Sequence, residues 1–274
     1  FVGEGVISQC SSLKTVTFLG DAPHFDEKAF FEKTIKVLYL ADNTTWTEEV
    51  CQNYSGTVIW LAVPDLSYVN GGSCGENVRW WLKDDGTMII YGSGDMATNI
   101  GWYEDKAVKK LVVEQGVTSI SEQAFRYGKI TSVVLPESVT TIGNQAFMDC
   151  KSLETVTMSS SVVKVGKQAF DNTPWAANLP AGPTYLGKVL YIYKEDGATQ
   201  YTVRDGTYSI SDSAFKGNTT LKSVVLPQDL QYIHDQAFYG CTALESIVIP
   251  DSVQYINGHT FYCCTSLKNV TIGS

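Results

Sequence analysis

The chain has 274 residues, of which only 18% are charged, and its formal net charge is −9. That balance argues against nucleic acid, whose binding surfaces need a basic stripe, and against an anionic membrane surface. No apolar run approaches the roughly 18 residues of a membrane-spanning helix, and no signal peptide opens the chain.

Residues 1–63 read as the end of one repeat array. LKTVTF (13–18) and IKVLYL (35–40) are its strand segments, and Phe30 falls 23 residues after Ile7, with Phe25 at the position an isoleucine holds in later repeats. Phe1-Val2-Gly3 stands where Thr141-Ile142-Gly143 stands in a complete repeat, so the chain is expected to begin within a coil and, at Ser274, to end within one, as part of a longer protein. After Leu40 the pattern dissolves into ADNTTWTEEVCQNYSGTVIWLAV, which reads as a terminal coil closing the array.

Residues 64–107 break the period. VRWWL and TMIIYG flank KDDG, and Asp-Gly between two apolar runs signals a β-hairpin. Val78, Trp80 and Leu82 alternate with Arg79, Trp81 and Lys83, so one apolar strand face is expected. Residues 108–274 form a second array, with Phe125, Phe147 and Phe170 spaced 22 and 23 apart. Phe170 to Phe215 is 45 residues, close to two coils, so the register survives an inserted segment at 173–206. Within it YLGKVLYIY–KEDG–ATQYTV reads as a second hairpin, its returning strand filling the ordinary strand position.

The last third repeats almost verbatim: LKSVVLPQDLQYIHDQAFYGC, then LESIVIPDSVQYINGHTFYCC, then LKNVTI. Leu221, Leu244 and Leu267 are 23 apart, as are Phe215, Phe238 and Phe261. A fixed period in the twenties is the signature of a leucine-rich-repeat solenoid, in which a coil buries its apolar face only by stacking on its neighbours. The expected fold is therefore mostly β: stacked parallel strands, 22–23 residues per coil, interrupted by β-hairpin inserts. Leu244, Ile247, Ile249, Val253, Ile256 and Phe261 should fill one coil's interior. Alternation turns the third and fifth strand positions outward. These make two columns, Lys110, Ser132, Thr155, Ser223, Ser246, Asn269 and Val112, Val134, Thr157, Val225, Val248, Thr271.

The full pattern, L-x-x-V-x-(I/L)-P-x-x-V-x-x-I-x-x-x-A-F-x-x-C, resembles the BspA-type leucine-rich repeats of bacterial surface proteins. About two thirds of the chain carries it, and the stretches around VRWWLKDDGTMIIYG and TPWAANLPAGPTYLGKVLYIYKEDG are similar to segments that accompany such repeats. The resemblance implies an exported, cell-surface binding role and transfers no catalytic residues.

The residues that invite chemistry have simpler readings. Gly71-Gly72-Ser73-Cys74-Gly75 fits G-x-S-x-G, but a β-type run follows where a nucleophile elbow needs a helix. Cys10, Cys150, Cys241 and Cys264 share one repeat position, so they are expected as a column of small apolar side chains, with Cys150, Cys241 and Cys264 reduced and buried. A bridge between Cys51 and Cys74 is possible, and Cys263 has no evident partner. His24, His234 and His259 occupy non-equivalent positions, so no metal site is expected. Asp84-Asp85 and Glu195-Asp196 precede glycine and read as turn residues. Trp80, Trp81, Trp102 and Tyr103 lie in the first insert.

These readings point to no enzyme and no cofactor. An extracellular binding or adhesion module is expected, monomeric, with a protein or glycan ligand; a structural spacer of a larger surface protein is the alternative. Trp175, Tyr185, Tyr191, Tyr193 and Tyr201, clustered in the second insert, are the candidate ligand-binding residues, because interface energy concentrates in aromatic side chains. Tyr191 and Tyr193 share one strand face, so they must be exposed together as a contact patch or buried together as a plug.

Overall fold

A computed structural model describes residues 1–64, 67–98, 100–102 and 107–273. The chain divides into two compact units, Phe1–Gly72 with Trp80–Thr87, and Ser73–Arg79 with Met88–Ser274.

In the first unit β1 (Thr15–Thr17), β2 (Thr34–Leu40) and β3 (Thr57–Val63) stack in parallel, with Thr15 opposite Lys36 and Thr34 opposite Thr57. Val2 bridges in parallel to Phe25, so the displaced phenylalanine does occupy the isoleucine position. The coil that loses the repeat pattern still returns its strand after 23 residues. What holds it is aromatic packing: Trp60 sits edge-on to Phe25 and Phe30, 5.6 and 5.9 Å between centroids. β4 (Tyr68–Ser73) precedes β5 (Asn77–Lys83), and a tight turn leads into β6 (Thr87–Asp95). At that turn Gly86 takes φ +83°, its N–H donates to Lys83 O, and Asp85 Oδ1 accepts from Thr87 N at 2.7 Å. Val78 and Leu82 are buried as alternation requires, while Trp80 is half-buried.

The second unit winds through β7 (Lys110–Val113), β8 (Val117–Ile120), β9 (Ser132–Val134), β10 (Thr141–Ile142), β11 (Thr155–Thr157) and β12 (Lys164–Val165). A single-turn helix follows, α1 (Pro174–Ala177), capped by Thr173 Oγ1. Then come β13 (Gly182–Leu186), β14 (Val189–Lys194), β15 (Gln200–Thr202), β16 (Ser209–Ile210), β17 (Ser223–Val225), β18 (Tyr232–Ile233), β19 (Ser246–Ile249), β20 (Tyr255–Ile256) and β21 (Asn269–Ile272). Each regular coil contributes a strand to each of two parallel columns. One holds β7-β9-β11 and β15-β17-β19-β21, the other β8-β10-β12 and β14-β16-β18-β20. Pairs such as Ser132–Thr155 and Ser223–Ser246 keep the sequence period of 23 as their register.

The second insert departs from expectation at its turn. Its hairpin is β13–β14, antiparallel with Leu186 opposite Val189, and not the pairing across Lys194-Glu195-Asp196-Gly197. Gly187 makes the turn at φ +62°, where a Cβ would come within 2.5 Å of Val162 O. The Glu195–Gly197 segment instead carries the chain from one column to the other, as an ordinary coil corner does. The returning strand β15 occupies the regular position, Gln200 opposite Ser223, as the spacing predicts.

Each coil closes at its Ala-Phe corner. Phe125, Phe147, Phe170, Phe215 and Phe238 are fully buried, and their rings stack from coil to coil: Phe125–Phe147 at 5.5 Å, Phe147–Phe170 at 5.1 Å, Phe215–Phe238 at 4.7 Å. Trp102 adds a ring ahead of the ladder, 5.1 Å from Phe125. The corner requires two left-handed residues per coil, flanking the phenylalanine at Gln123 and Tyr127, Gln145 and Asp149, Gln236 and Gly240 and their equivalents. Such backbone costs a non-glycine residue roughly 1–2 kcal/mol, and burial of the ring, about 1.5–3 kcal/mol, offsets the two together with the coil's other buried side chains. Phe238→Ala is therefore expected to cost about 3–5 kcal/mol in chemical denaturation. Phe261→Ala should cost clearly less, because Phe261 is only half-buried. Equal losses from the two variants would contradict the ladder.

Candidate functional site

The aromatic residues of the second insert point into the protein. Tyr191 and Tyr193 on β14 are 9% and 4% exposed. The expectation that they form an exposed patch is therefore corrected, and of the two readings the plug is the one observed. Alternation does keep them on one face, and that face bridges the break in the phenylalanine ladder. Tyr191 meets Phe170 edge-on at 6.0 Å, and Tyr193 stacks on Phe215 at 5.3 Å. Tyr193 donates its hydroxyl to Asp196 Oδ1 at 2.7 Å. Trp175, on α1, packs 4.8 Å from Phe170. Tyr185, on β13, and Tyr201, on β15, share a hydroxyl–hydroxyl hydrogen bond of 2.7 Å, and the Arg204 guanidinium lies 4.1 Å above the Tyr185 ring. Burial pushes the phenols of Tyr191, Tyr193 and Tyr201 well above their usual value. Lys194 Nζ donates to the carbonyls of Ala176, Ala177 and Leu179, tying the end of α1 to β14. Trp175, Tyr185 and Tyr201 are half-buried, and each has an intramolecular partner.

The remaining candidates also have local partners. Ser73 Oγ donates to Gly75 O at 2.9 Å, and Arg79 Nη1 donates to Ser73 Oγ at 3.2 Å. Strand β5, not a helix, follows the G-x-S-x-G segment. Asp85 and Asp196 accept backbone N–H groups in their turns, and Glu195 Oε1 accepts from Thr219. His24 stacks on Phe1, His234 on Tyr232, and His259 packs on Tyr262. Among the described residues no group of three or more His, Cys, Asp or Glu side chains is placed to hold a metal. Trp81 packs on Tyr68 at 6.0 Å; Tyr103 lies outside the described residues.

All seven cysteines are free thiols, Cys51 and Cys74 included. Cys150, Cys241 and Cys264 each donate to the carbonyl of the phenylalanine one coil earlier, Phe125, Phe215 and Phe238, at 3.0, 3.1 and 3.0 Å. Burial pushes the Cys150 and Cys241 thiols up to about 12. The expected burial needs correction at two positions. Cys264 is half-buried because no described coil stacks beyond it, and Cys10 is exposed.

What remains open to partners is the outside of the coils. The third and fifth strand positions face outward as expected, Val225 58% and Val248 62% exposed, with a shallow depression of about 270 Å³ over Ser223, Val225, Ser246 and Val248. The second column carries a feature the sequence reading missed. Tyr208, Tyr232 and Tyr255 run along its outer surface beside Gln231 and Gln254, over a cavity of about 280 Å³. The signal was the repeated Gln-Tyr-Ile of successive coils, which reads as core pattern because the isoleucine is the period-setting residue.

The fold and faces define a class, the parallel leucine-rich-repeat solenoid. Residues 100–188 and 189–274 match the profile described as BspA type leucine rich repeat region, in six copies, and the chain belongs to that family. No curated protein matches the sequence significantly. Among solved structures, a leucine-rich repeat protein from Eubacterium ventriosum is 24% identical, with 74% of this chain and 72% of that one covered and a TM-score of 0.41. The leucine rich repeat protein of T. pallidum is 21% identical, with coverages of 73% and 81% and a TM-score of 0.34. One from Bacteroides ovatus is 16% identical over 99% of this chain and 64% of that chain, with a TM-score of 0.35.

The thiol positions can be checked directly. Iodoacetamide added to native protein should modify the exposed Cys10 and Cys263, reach Cys264 slowly and spare Cys150 and Cys241. Denaturation without reductant should expose all seven. A Cys241–Cys264 disulfide in peptide maps, or rapid native labelling of Cys150, would contradict the thiol-to-carbonyl ladder.

Proposed function

We propose that the chain is an extracellular binding module of a bacterial surface protein, engaging a host or neighbouring-cell protein or glycan through the outside of its coils. The observation that carries this reading is the division of labour among side chains. The repeat leucines, isoleucines and phenylalanines are consumed by stacking, and the aromatic residues of the inserts serve as plugs. The outward columns stay accessible and weakly charged: small hydroxyl residues and exposed valines on one face, tyrosines and amides on the other. Membership of the BspA type family supports placing the protein at the bacterial surface. Among the described residues no helix is long and apolar enough to cross a membrane. The side chains suited to catalysis are held by turns, caps and ring stacks, which supports a non-enzymatic role.

Immobilised host-matrix proteins and glycans, probed with the 274-residue chain, test the reading. Saturable capture by at least one probe is expected, and Val225→Asp with Val248→Asp on the ribbon, or changes on the tyrosine face, should locate the site. Uniform failure to bind across the array would leave the chain as a spacer.

A further inference from the structure

The tyrosine face has the composition of a site. The parallel register sets Tyr232 of β18 opposite Tyr255 of β20. Their ring planes lie within 3° of each other and their centroids 5.6 Å apart. Tyr208, just ahead of β16, lies 5.5 Å from Tyr232, ring centroid to ring centroid. Ser209, the next residue, stands opposite Tyr232 with a hydroxymethyl group where the following coils carry rings. Beside the rings, Gln254 Nε2 donates to Gln231 Oε1 at 2.9 Å, which fixes both amides along the edge of the stack. Tyr255 is 60% exposed.

The cavity at the head of this stack is walled by Tyr208 and Tyr232 with Thr141, Val163, Lys164 and His234. Its volume of about 280 Å³ is just below the range of small-molecule sites, about 300–1,000 Å³, and suits one unit of a longer ligand. Its groups are hydroxyls, an imidazole and one ammonium, set among aromatic rings. Burial holds His234 below its usual pKa, opposed by Asp212, so the imidazole contributes donor and acceptor more than charge. A pyranose is amphipathic in the complementary sense, with a C–H face that lies on an aromatic surface and a rim of hydroxyls that both donate and accept. A protein partner would be expected to rely on an arginine or a charged rim, and no arginine lines this cavity. The net charge of −9 disfavours polyanionic glycans.

We infer that this notch is a saccharide subsite, taking a neutral pyranose unit of an oligosaccharide against Tyr208 and Tyr232, with Lys164 and Thr141 bonding its hydroxyls and Tyr255 extending the platform. The inference rests on the binding role proposed above and names the ligand class.

Titration calorimetry of the intact protein with N-acetyllactosamine, mannotriose, cellotriose and maltotriose tests it. At least one of the four should bind saturably. Tyr232→Ala should weaken that binding about tenfold or more, and Glu49→Ala, at an exposed residue of the first unit, should leave it unchanged. Lys164→Ala, at an exposed side chain, provides a second variant that keeps the test valid if Tyr232→Ala lowers the melting temperature; it should weaken binding several-fold. Failure of all four sugars, with a matrix protein captured on the array, would overturn the subsite and leave the binding role standing. Failure of both would remove both. Sugar binding unchanged in Tyr232→Ala and Lys164→Ala would place the sugar elsewhere and overturn the inference.

Discussion

A coil of this protein exists because its phenylalanine ring is covered by the ring of the next. Every other regularity follows from that stack. For Phe147 to lie on Phe125, the backbone must turn sharply around Ala146-Phe147, and it does so with Gln145 and Asp149 in left-handed conformations. The same turn aims Phe125 N–H at Ala146 O, 2.8 Å away, so ring stacking and coil-to-coil hydrogen bonding reinforce one another. The glutamines that tolerate the strained position add an amide ladder, Gln123 to Gln145 at 3.1 Å and Gln145 to Gln168 at 3.0 Å. Identical side chains stacked one repeat apart gain what isolated amides in water do not.

The constraint explains how the solenoid accommodates an insertion. Between Phe170 and Phe215 one coil lacks its Ala-Phe corner, and a gap there would expose two ring faces. Strand β14 fills it with two tyrosines on one face, Tyr191 toward Phe170 and Tyr193 toward Phe215. Their polar tips demand partners, and Asp196 accepts the Tyr193 hydroxyl. The thiol position changes on both sides of the break. Thr173 bonds its hydroxyl to Phe170 O of its own coil, and Asn218 accepts Leu221 N, where Cys150, Cys241 and Cys264 reach back one coil. For Asn218 the preceding coil is the insert, which has no Ala-Phe corner to supply such a carbonyl.

The division of roles shapes the surface. Because the interior consumes the apolar repeat positions, variation falls on outward positions, and the two columns have diverged. The ribbon column is small and flat, Ser223 and Val225 next to Ser246 and Val248. The opposite column replaces Thr141 and Lys164 with Tyr232 and Tyr255 toward the final coils. A solenoid can place such a change on one face without altering its core, since each outward residue touches only its neighbours in the adjacent coils.

The sequence alone determined the coil period, the parallel register and most of the buried residues, because a spacing of 22–23 residues repeated over many coils admits one stacking; Ile256, expected inside its coil, is 37% exposed. It even determined that β15 returns to register after the insert, since 45 residues is close to two coils. It did not determine which way the insert's aromatics face. Alternation couples Tyr191 to Tyr193, but only the ring gap between Phe170 and Phe215, two residues far apart in sequence, turns the pair inward. Nor did it locate the hairpin turn: Glu-Asp-Gly and Leu-Gly-Lys are both acceptable turns, and the close approach of Gly187 to Val162 selects the second. The tyrosine notch was decided the same way, because a cavity arises from side chains of several coils and local sequence specifies only one coil at a time.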